Sequence, residues 1–213
     1  MAKSEQEELE REDPIEIAIV GDLTEHEAEL TQQLLSVPQG GECILFFDSP
    51  GGSPYCAMSL MSLILLRNLK ATGFVTGECS SATLWVFAAC YKRYVTPFSV
   101  LLFHPMKWQS EEHIGLSEAA EWARHFGYLE TEMDSLLAKL LQVDLESINK
   151  WVNPGRYVSG REFAEAGFAN MIKFQELPSF NVLKDHSSGN KLASEKSDDN
   201  GNGAQTVVKR VKA

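Results

Sequence analysis

The chain has 213 residues, 44% of them hydrophobic, which is enough for one domain with a substantial core. Its formal net charge of −11 opposes binding to nucleic-acid phosphates or to an anionic membrane surface. No apolar run reaches the ~20 residues that a membrane-spanning helix needs, and the N-terminus is charged, unlike an apolar leader. The four cysteines lie within apolar segments without metal-ligand spacing, which indicates packed thiols in a reducing compartment. We therefore expect a cytoplasmic protein with no metal, no cofactor and no nucleic-acid or membrane partner.

The two ends of the chain differ in composition from its middle. Residues 1–14, MAKSEQEELEREDP, form a short and mainly acidic arm. Residues 178–213 are rich in Ser, Asn, Gly, Lys and Asp and contain few large apolar side chains. Such a segment buries too little apolar surface to offset its conformational entropy, so we expect a disordered tail. The globular domain is predicted to occupy residues 15–177.

Strand and helix patterns alternate through this domain. Short apolar runs bounded by turn residues predict buried strands, and longer apolar runs predict buried helices. The predicted strands are residues 15–21, 42–48, 72–77, 93–96, 99–104 and 169–174. The predicted helices in the first half run from Thr24, as the cap, to Leu35, and over 54–69 and 81–90. This alternation predicts βαβ crossovers and a largely parallel sheet with both faces covered.

The apolar period changes in the second half of the chain. Over residues 116–141, apolar side chains recur at the i, i+3, i+4 spacing of a long amphipathic helix. A short helix capped by Asp144 is predicted to end near Trp151. Residues 159–167 contain a capping box, in which Ser159 is followed three residues later by glutamate, and they close on a glycine.

Three short motifs contain residue types that could do chemistry. In GECSSATLWVFAAC, Ser80 and Ser81 precede an apolar run, so either is a helix cap or a nucleophile at a strand-to-helix turn. His104 ends an apolar strand and precedes a proline. It is either an imidazole at the edge of the core with its hydrogen bonds satisfied, or a general base at the carboxyl end of a parallel strand. Gly51 and Gly52 follow another strand. They form either a simple turn or a turn whose backbone N–H groups donate to an anion.

Together these motifs resemble the proteolytic subunit of the Clp protease family. FFDSPGGS is followed by GECSSAT, with 29 residues from Gly52 to Ser81, and then by LLFHP, with 23 residues from Ser81 to His104. YVSGREFAEAGFANMI is similar to the closing helix and strand of the family. The resemblance covers about residues 15–174. It implies an α/β fold, a ClpP/crotonase-like spiral of βαβ units with a projecting long helix, the handle.

The resemblance implies a serine endopeptidase that cleaves peptides or unfolded proteins through an acyl-enzyme. Ser81, four residues after Gly77, takes the position of the nucleophile, and His104 that of the general base. The backbone N–H groups of Gly52 and Ala82 take the positions of the oxyanion hole. The resemblance also implies assembly with itself into a stacked, heptamer-type ring, and ATP-dependent action with an AAA+ unfoldase.

The usual third member of the triad, an aspartate, is missing. Anchored on the motif YVS, its position falls on Gly155; counted by spacing from His104, it falls on Asn153. We take Asn153 as the candidate, because an amide can orient an imidazole, although it does not stabilise the imidazolium as a carboxylate does. Asp134 and Asp144 are the alternative carboxylates.

Other departures from the family leave further functions open. The acidic arm replaces the family's axial loop, so docking to an unfoldase is an open question, and Lys107 and Trp108 replace glycines that keep the substrate groove open. Because the aspartate is missing, an alternative function is that of a structural or regulatory subunit with weak or no catalytic activity. Such a subunit would form a ring with a paralogous Clp subunit. A third alternative is a crotonase-like acyl-CoA enzyme or a Ser-Lys peptidase, with Lys70 or Lys92 as the base.

Overall fold

A computed structural model of the chain describes residues 13–109 and 113–179. The predicted arm and tail therefore lie almost entirely outside the described residues. The chain divides into two compact units, 1–172 and 173–213. In the described part of the second unit, a single 3-10 turn spans Phe174–Glu176.

The first unit consists of alternating strands and helices. Its strands are β1 (Ile15–Asp22), β2 (Glu42–Gly51), β3 (Lys70–Ser80), β4 (Lys92–Val95), β5 (Val100–Phe103), β6 (Arg156–Ser159) and β7 (Asn170–Met171). Its helices are α1 (Leu23–Ser36), α2 (Pro54–Leu66), α3 (Thr83–Ala88), α4 (Leu116–Leu141), α5 (Leu145–Val152) and α6 (Gly160–Glu165). The bounds of α4 and the Asp144 cap of α5 are those that the sequence predicts.

The strands form one sheet in the order β1-β2-β3-β4-β7, with β5 paired to both β3 and β6. Every neighbouring pair is parallel except β5 and β6. The long strand β3 pairs with β4 through residues 72–75 and with β5 through residues 78–80. The predicted α/β class with a largely parallel sheet is confirmed, and the carboxyl ends of β2, β3 and β5 meet at one edge.

One local prediction is wrong and one strand is not predicted, each for a physical reason. The cap of α1 is Asp22, whose carboxylate accepts the Thr24 N–H at 2.7 Å; the Thr24 hydroxyl instead accepts the N–H of Ser53 at 2.8 Å. Strand β6 has no counterpart among the predicted elements. Val158 is its one buried side chain, so its four residues do not show the alternation of buried and exposed side chains by which a strand is recognised. A single buried residue gives no period to recognise.

The core lies between the sheet and the helices packed on it. The four cysteines are buried and unpaired, as the sequence predicts. Burial raises the pKa of the Cys43 thiol to about 11, so this thiol is protonated and unreactive at neutral pH. In α4 the buried side chains are confined to the C-terminal half, from Met133 onward, and Trp85 Nε1 donates to the carbonyl of Met133 at 2.9 Å. Within the described ranges, no helix has the length and apolar character required to cross a membrane.

Candidate active site

Ser81 and His104 meet where β3 and β5 end. The hydroxyl oxygen of Ser81 lies 2.8 Å from Nε2 of His104, although the two residues are 23 positions apart. The register of the parallel strands produces this approach, since Ser80 pairs with Leu102 and the Ser81 N–H donates to the Leu102 carbonyl at 2.9 Å. The sheet thus brings together the two side chains predicted to be nucleophile and base.

The backbone at Ser81 makes a sharp turn between strand and helix. Strand β3 ends at Ser80, helix α3 begins at Thr83, and Ser81 has a φ of +55°. This left-handed conformation is uncommon outside glycine, and at a strand-to-helix turn it projects the side chain away from the sheet. Ser81 is half-buried, whereas the Ser80 hydroxyl is fully buried and has no hydrogen-bond partner among the described residues. Of the two serines, Ser81 is therefore the one whose oxygen can meet a substrate.

The diglycine turn after β2 lies directly against Ser81. Gly51 has a φ of +112°, and a Cβ there would lie 2.8 Å from the Cβ of Ser81 and 3.2 Å from the nitrogen of Ala82. Gly52 has a φ of +144°, and a Cβ there would lie 2.6 Å from a carboxylate oxygen of Asp22. Only glycine allows this backbone to approach so closely. Within the described residues, the N–H groups of Gly52 and Ala82 donate in none of the turn, loop or cap hydrogen bonds.

A backbone carbonyl holds the other nitrogen of the imidazole. Nδ1 of His104 lies 2.6 Å from the carbonyl oxygen of Pro105. Because a carbonyl can only accept, we assign the ring proton to Nδ1, which leaves the Nε2 lone pair facing the hydroxyl of Ser81. This tautomer is the one that can remove a proton from a serine hydroxyl.

The comparisons with known proteins show the family of the chain. The family model of the Clp protease matches residues 7–176. The chain belongs to the Clp protease family. No curated protein matches the chain. Membership confirms the family resemblance and the fold that the sequence motifs imply, and at the level of the family the chain is a peptidase.

Gly155, the position to which the YVS motif assigns the family's aspartate, lies beside His104. A Cβ at Gly155 would lie 3.2 Å from the Cβ of His104 and 3.1 Å from the carbonyl of Phe103, so this backbone lies against the base. Asn153 is exposed and ends α5, and its side chain forms no hydrogen bond to His104 within the described residues. The contact predicted for Asn153 is not formed. Alignment on the YVS motif identifies the residue beside the histidine, whereas counting along the chain does not.

The two alternative aspartates, Asp134 and Asp144, lie in environments that do not include a hydrogen bond to His104 among the described residues. Asp144 caps α5, and hydrogen bonds from the backbone N–H and the hydroxyl of Ser147 hold the pKa of that carboxyl below its usual range. Asp134, on α4, lines a cavity of about 320 Å³ together with Pro105 and Asn153. Burial, and then the nearby charge of Glu130, raise the pKa of Asp134 to about 6. Neither carboxylate forms a hydrogen bond with His104 within the described residues.

The segment after His104 is bound to α4 by contacts that the sequence did not predict. Glu130 accepts the N–H of Met106 at 2.9 Å. Trp108 stacks on Phe126 with 3.7 Å between ring centroids and 4° between ring planes, and it tilts against Tyr55 of α2. Trp108, one of the residues that replace the family's glycines in the sequence, therefore lies between α2 and α4. No local pattern pairs these residues, because they come together only when α4 folds back.

The two lysines considered as bases lie at the opposite end of the sheet. Lys70 begins β3, and Lys92 begins β4, its parallel neighbour. The 11 residues of β3 separate Lys70 from the turn at Ser81, a distance of ~35 Å at about 3.3 Å per residue. Neither lysine can serve as the base for this serine, so the Ser-Lys alternative is wrong.

Proposed function

We propose that the chain is a serine endopeptidase of the Clp type, with Ser81 as nucleophile and His104 as general base. The observation that carries the proposal is the 2.8 Å separation of the Ser81 hydroxyl oxygen and Nε2 of His104. A serine hydroxyl becomes an effective nucleophile only when an adjacent base accepts its proton during attack. The Pro105 carbonyl supports this role, because it favours the neutral tautomer that has its proton on Nδ1 and its lone pair on Nε2.

In this mechanism Ser81 Oγ forms a bond to the carbonyl carbon of the scissile peptide while its proton passes to Nε2 of His104. The electron pair of the carbonyl moves to its oxygen, and the N–H groups of Gly52 and Ala82 donate to that oxyanion. When the carbonyl re-forms, the carbon–nitrogen bond breaks and His104 gives its proton to the leaving amine. A water molecule then repeats the sequence on the ester, which releases the acid and regenerates Ser81.

The neutral partner of His104 limits the rate that we expect. The Pro105 carbonyl fixes the tautomer as a triad carboxylate would, but it carries no charge to stabilise the imidazolium. In a serine protease, replacing the triad aspartate by its amide lowers kcat by about 10⁴-fold, a loss that includes the wrong tautomer, so this figure is an upper bound for His104. We therefore expect slow turnover of peptides, with acylation by a reactive probe still measurable.

A fluorophosphonate probe tests the proposal directly. Ser81 Oγ would displace fluoride from phosphorus, with its proton passing to His104, and intact mass would show one added phosphonyl group. We expect labelling of the parent and of Ser80→Ala, the matched neighbour, and its loss in Ser81→Ala and His104→Ala. A folded parent that is not labelled, or labelling that persists in Ser81→Ala, would contradict the proposal.

One observation favours a second candidate function, that of a structural or regulatory subunit. Among the described residues, no carboxylate hydrogen-bonds to His104. A silent subunit would co-assemble with a paralogous Clp subunit that has a complete triad. In that case Ser81→Ala would leave the peptidase rate of the mixed ring unchanged, whereas the first proposal requires loss of this chain's own labelling.

We further propose that the chain assembles into a ring, as members of its family typically do, and degrades unfolded polypeptides or peptides. Docking of an AAA+ unfoldase is not part of this proposal, because the acidic arm, which lies almost entirely outside the described residues, replaces the family's axial loop. The four buried, unpaired thiols support a reducing compartment such as the cytoplasm. Native mass spectrometry of the full chain gives the subunit number.

A further inference from the structure

Two buried hydroxyl groups lie beneath the candidate active site and join its two backbone segments. Ser49, in β2, and Thr83, the first residue of α3, have no exposed surface. Their hydroxyl oxygens are 2.9 Å apart, although the residues are 34 positions apart in the chain. Burying a hydroxyl group destabilises the fold unless the group forms hydrogen bonds, so both hydroxyls are expected to have partners.

Counting protons gives the direction of each hydrogen bond. The hydroxyl of Ser49 lies 2.6 Å from the carbonyl oxygen of Gly21, which can only accept, so Ser49 donates its one proton there. The Thr83 hydroxyl must then donate to Ser49, and the N–H of Gly51 donates to the same oxygen at 3.2 Å. One donated and two accepted hydrogen bonds fill the capacity of the Ser49 hydroxyl.

The network is adjacent to both amides of the proposed oxyanion hole. Ser49 binds the N–H of Gly51, the residue before Gly52, and Thr83 is the residue after Ala82. The Ser49–Thr83 hydrogen bond therefore crosses between the two segments that carry the donors. We infer that Ser49 and Thr83 are positioning residues that fix the separation of the Gly52 and Ala82 amides. This inference rests on the proposed function.

Such a device matters because an oxyanion hole acts through donors that are in place before the charge develops. Loss of one donor typically lowers kcat by about 10²–10³-fold, and a displacement of about 1 Å near a reacting centre costs up to about 10²-fold. Without the Thr83 hydroxyl, no direct hydrogen bond among the described residues links the Ser49 hydroxyl to α3, and the separation of the two segments is less restrained. The effect falls on the transition state, so kcat should change more than KM.

The test compares Thr83→Val, which removes the hydroxyl at nearly constant volume, with Thr83→Ser, which retains it. Ile64→Val, a substitution of a buried α2 residue that takes no part in these hydrogen bonds, is the control for a general loss of stability. The measurements are the second-order rate constant of fluorophosphonate labelling, and kcat and KM for an activated peptide ester. We expect Thr83→Val to lower kcat and labelling about 10-fold with KM within about twofold, Thr83→Ser to stay within about threefold of the parent, and Ile64→Val to match it.

Each contrary result has a distinct meaning. Thr83→Val labelled at the parent rate would overturn the positioning role and leave the proposed function intact. Thr83→Ser as slow as Thr83→Val would overturn it as well, since the hydroxyl would then not be the cause. A folded parent that is never labelled would overturn both. If Thr83→Val does not fold, Ser49→Ala takes its place under the same criteria.

Discussion

The carboxyl of Asp134 makes the stability of this protein depend on pH in a direction that can be worked out. Burial first, and the nearby charge of Glu130 second, raise its pKa from 3.8 to about 6. The folded state therefore binds a proton more tightly than the unfolded state, and protonation of Asp134 stabilises the fold. This contribution is fully present below pH 3.8 and is lost as the pH rises through about 6. Above that pH, an ionised carboxylate is held in a poorly solvated place beside a like charge.

The magnitude follows from the size of that interval. At ~1.36 kcal/mol per pKa unit, the rise from 3.8 to about 6 corresponds to at most ~3 kcal/mol. Asp134 is only partly buried, and solvent screening reduces the figure to about 1–2 kcal/mol. Asp134→Asn removes the charge at nearly constant volume. We therefore expect this variant to be more stable than the parent by about 1–2 kcal/mol at pH 7.5, or roughly 2–4 °C in Tm per kcal/mol, and equal to it near pH 4.

Urea unfolding at fixed protein concentration, repeated at several pH values between 4 and 8, measures the difference. The matched control is Glu132→Gln, an exposed carboxylate on the same helix, for which we expect a change within about 0.5 kcal/mol at every pH. An Asp134→Asn variant that is less stable than the parent at pH 7.5 would refute the reasoning, because the carboxylate would then have a favourable partner. A difference that does not vary with pH would refute it too.

Two further substitutions test the backbone and burial around Ser81. Ser80→Ala removes a fully buried hydroxyl without a partner among the described residues. In urea unfolding, the free energy of unfolding should therefore stay the same or rise by up to about 1 kcal/mol. A clear decrease in that free energy would indicate that the hydroxyl has a hydrogen-bond partner. Gly51→Ala places a Cβ 2.8 Å from the Cβ of Ser81 and should cost about 2–5 kcal/mol and abolish fluorophosphonate labelling. Gly40→Ala, with a φ of +72° but no atom within 4 Å, should cost about 1 kcal/mol and keep labelling. Equal effects of the two glycine substitutions would show that strain alone, without the clash, is responsible.

The sequence by itself determined most of the elements and the class of the fold. The bounds of α4 and the Asp144 cap follow from apolar period and capping side chains, which act between residues within about one turn of each other. The alternation of strands with helices determined the parallel sheet, because parallel neighbours need a crossover connection. The three motifs also identified the serine, the histidine and the diglycine turn, since each stands at the end of a strand, where a parallel sheet brings such groups to one edge.

Tertiary structure decided what holds those groups in place. The partner of Nδ1 is the Pro105 carbonyl, and a backbone oxygen leaves no signature in a sequence. The residue beside His104 is Gly155 instead of Asn153, because position in space depends on how the chain after α5 turns back to pair β6 with β5. The Ser49–Thr83 hydrogen bond depends on the register of strands far apart in the chain. Hydrogen bonds of this kind are specified by distance in the folded molecule, and a linear pattern records only neighbours along the chain.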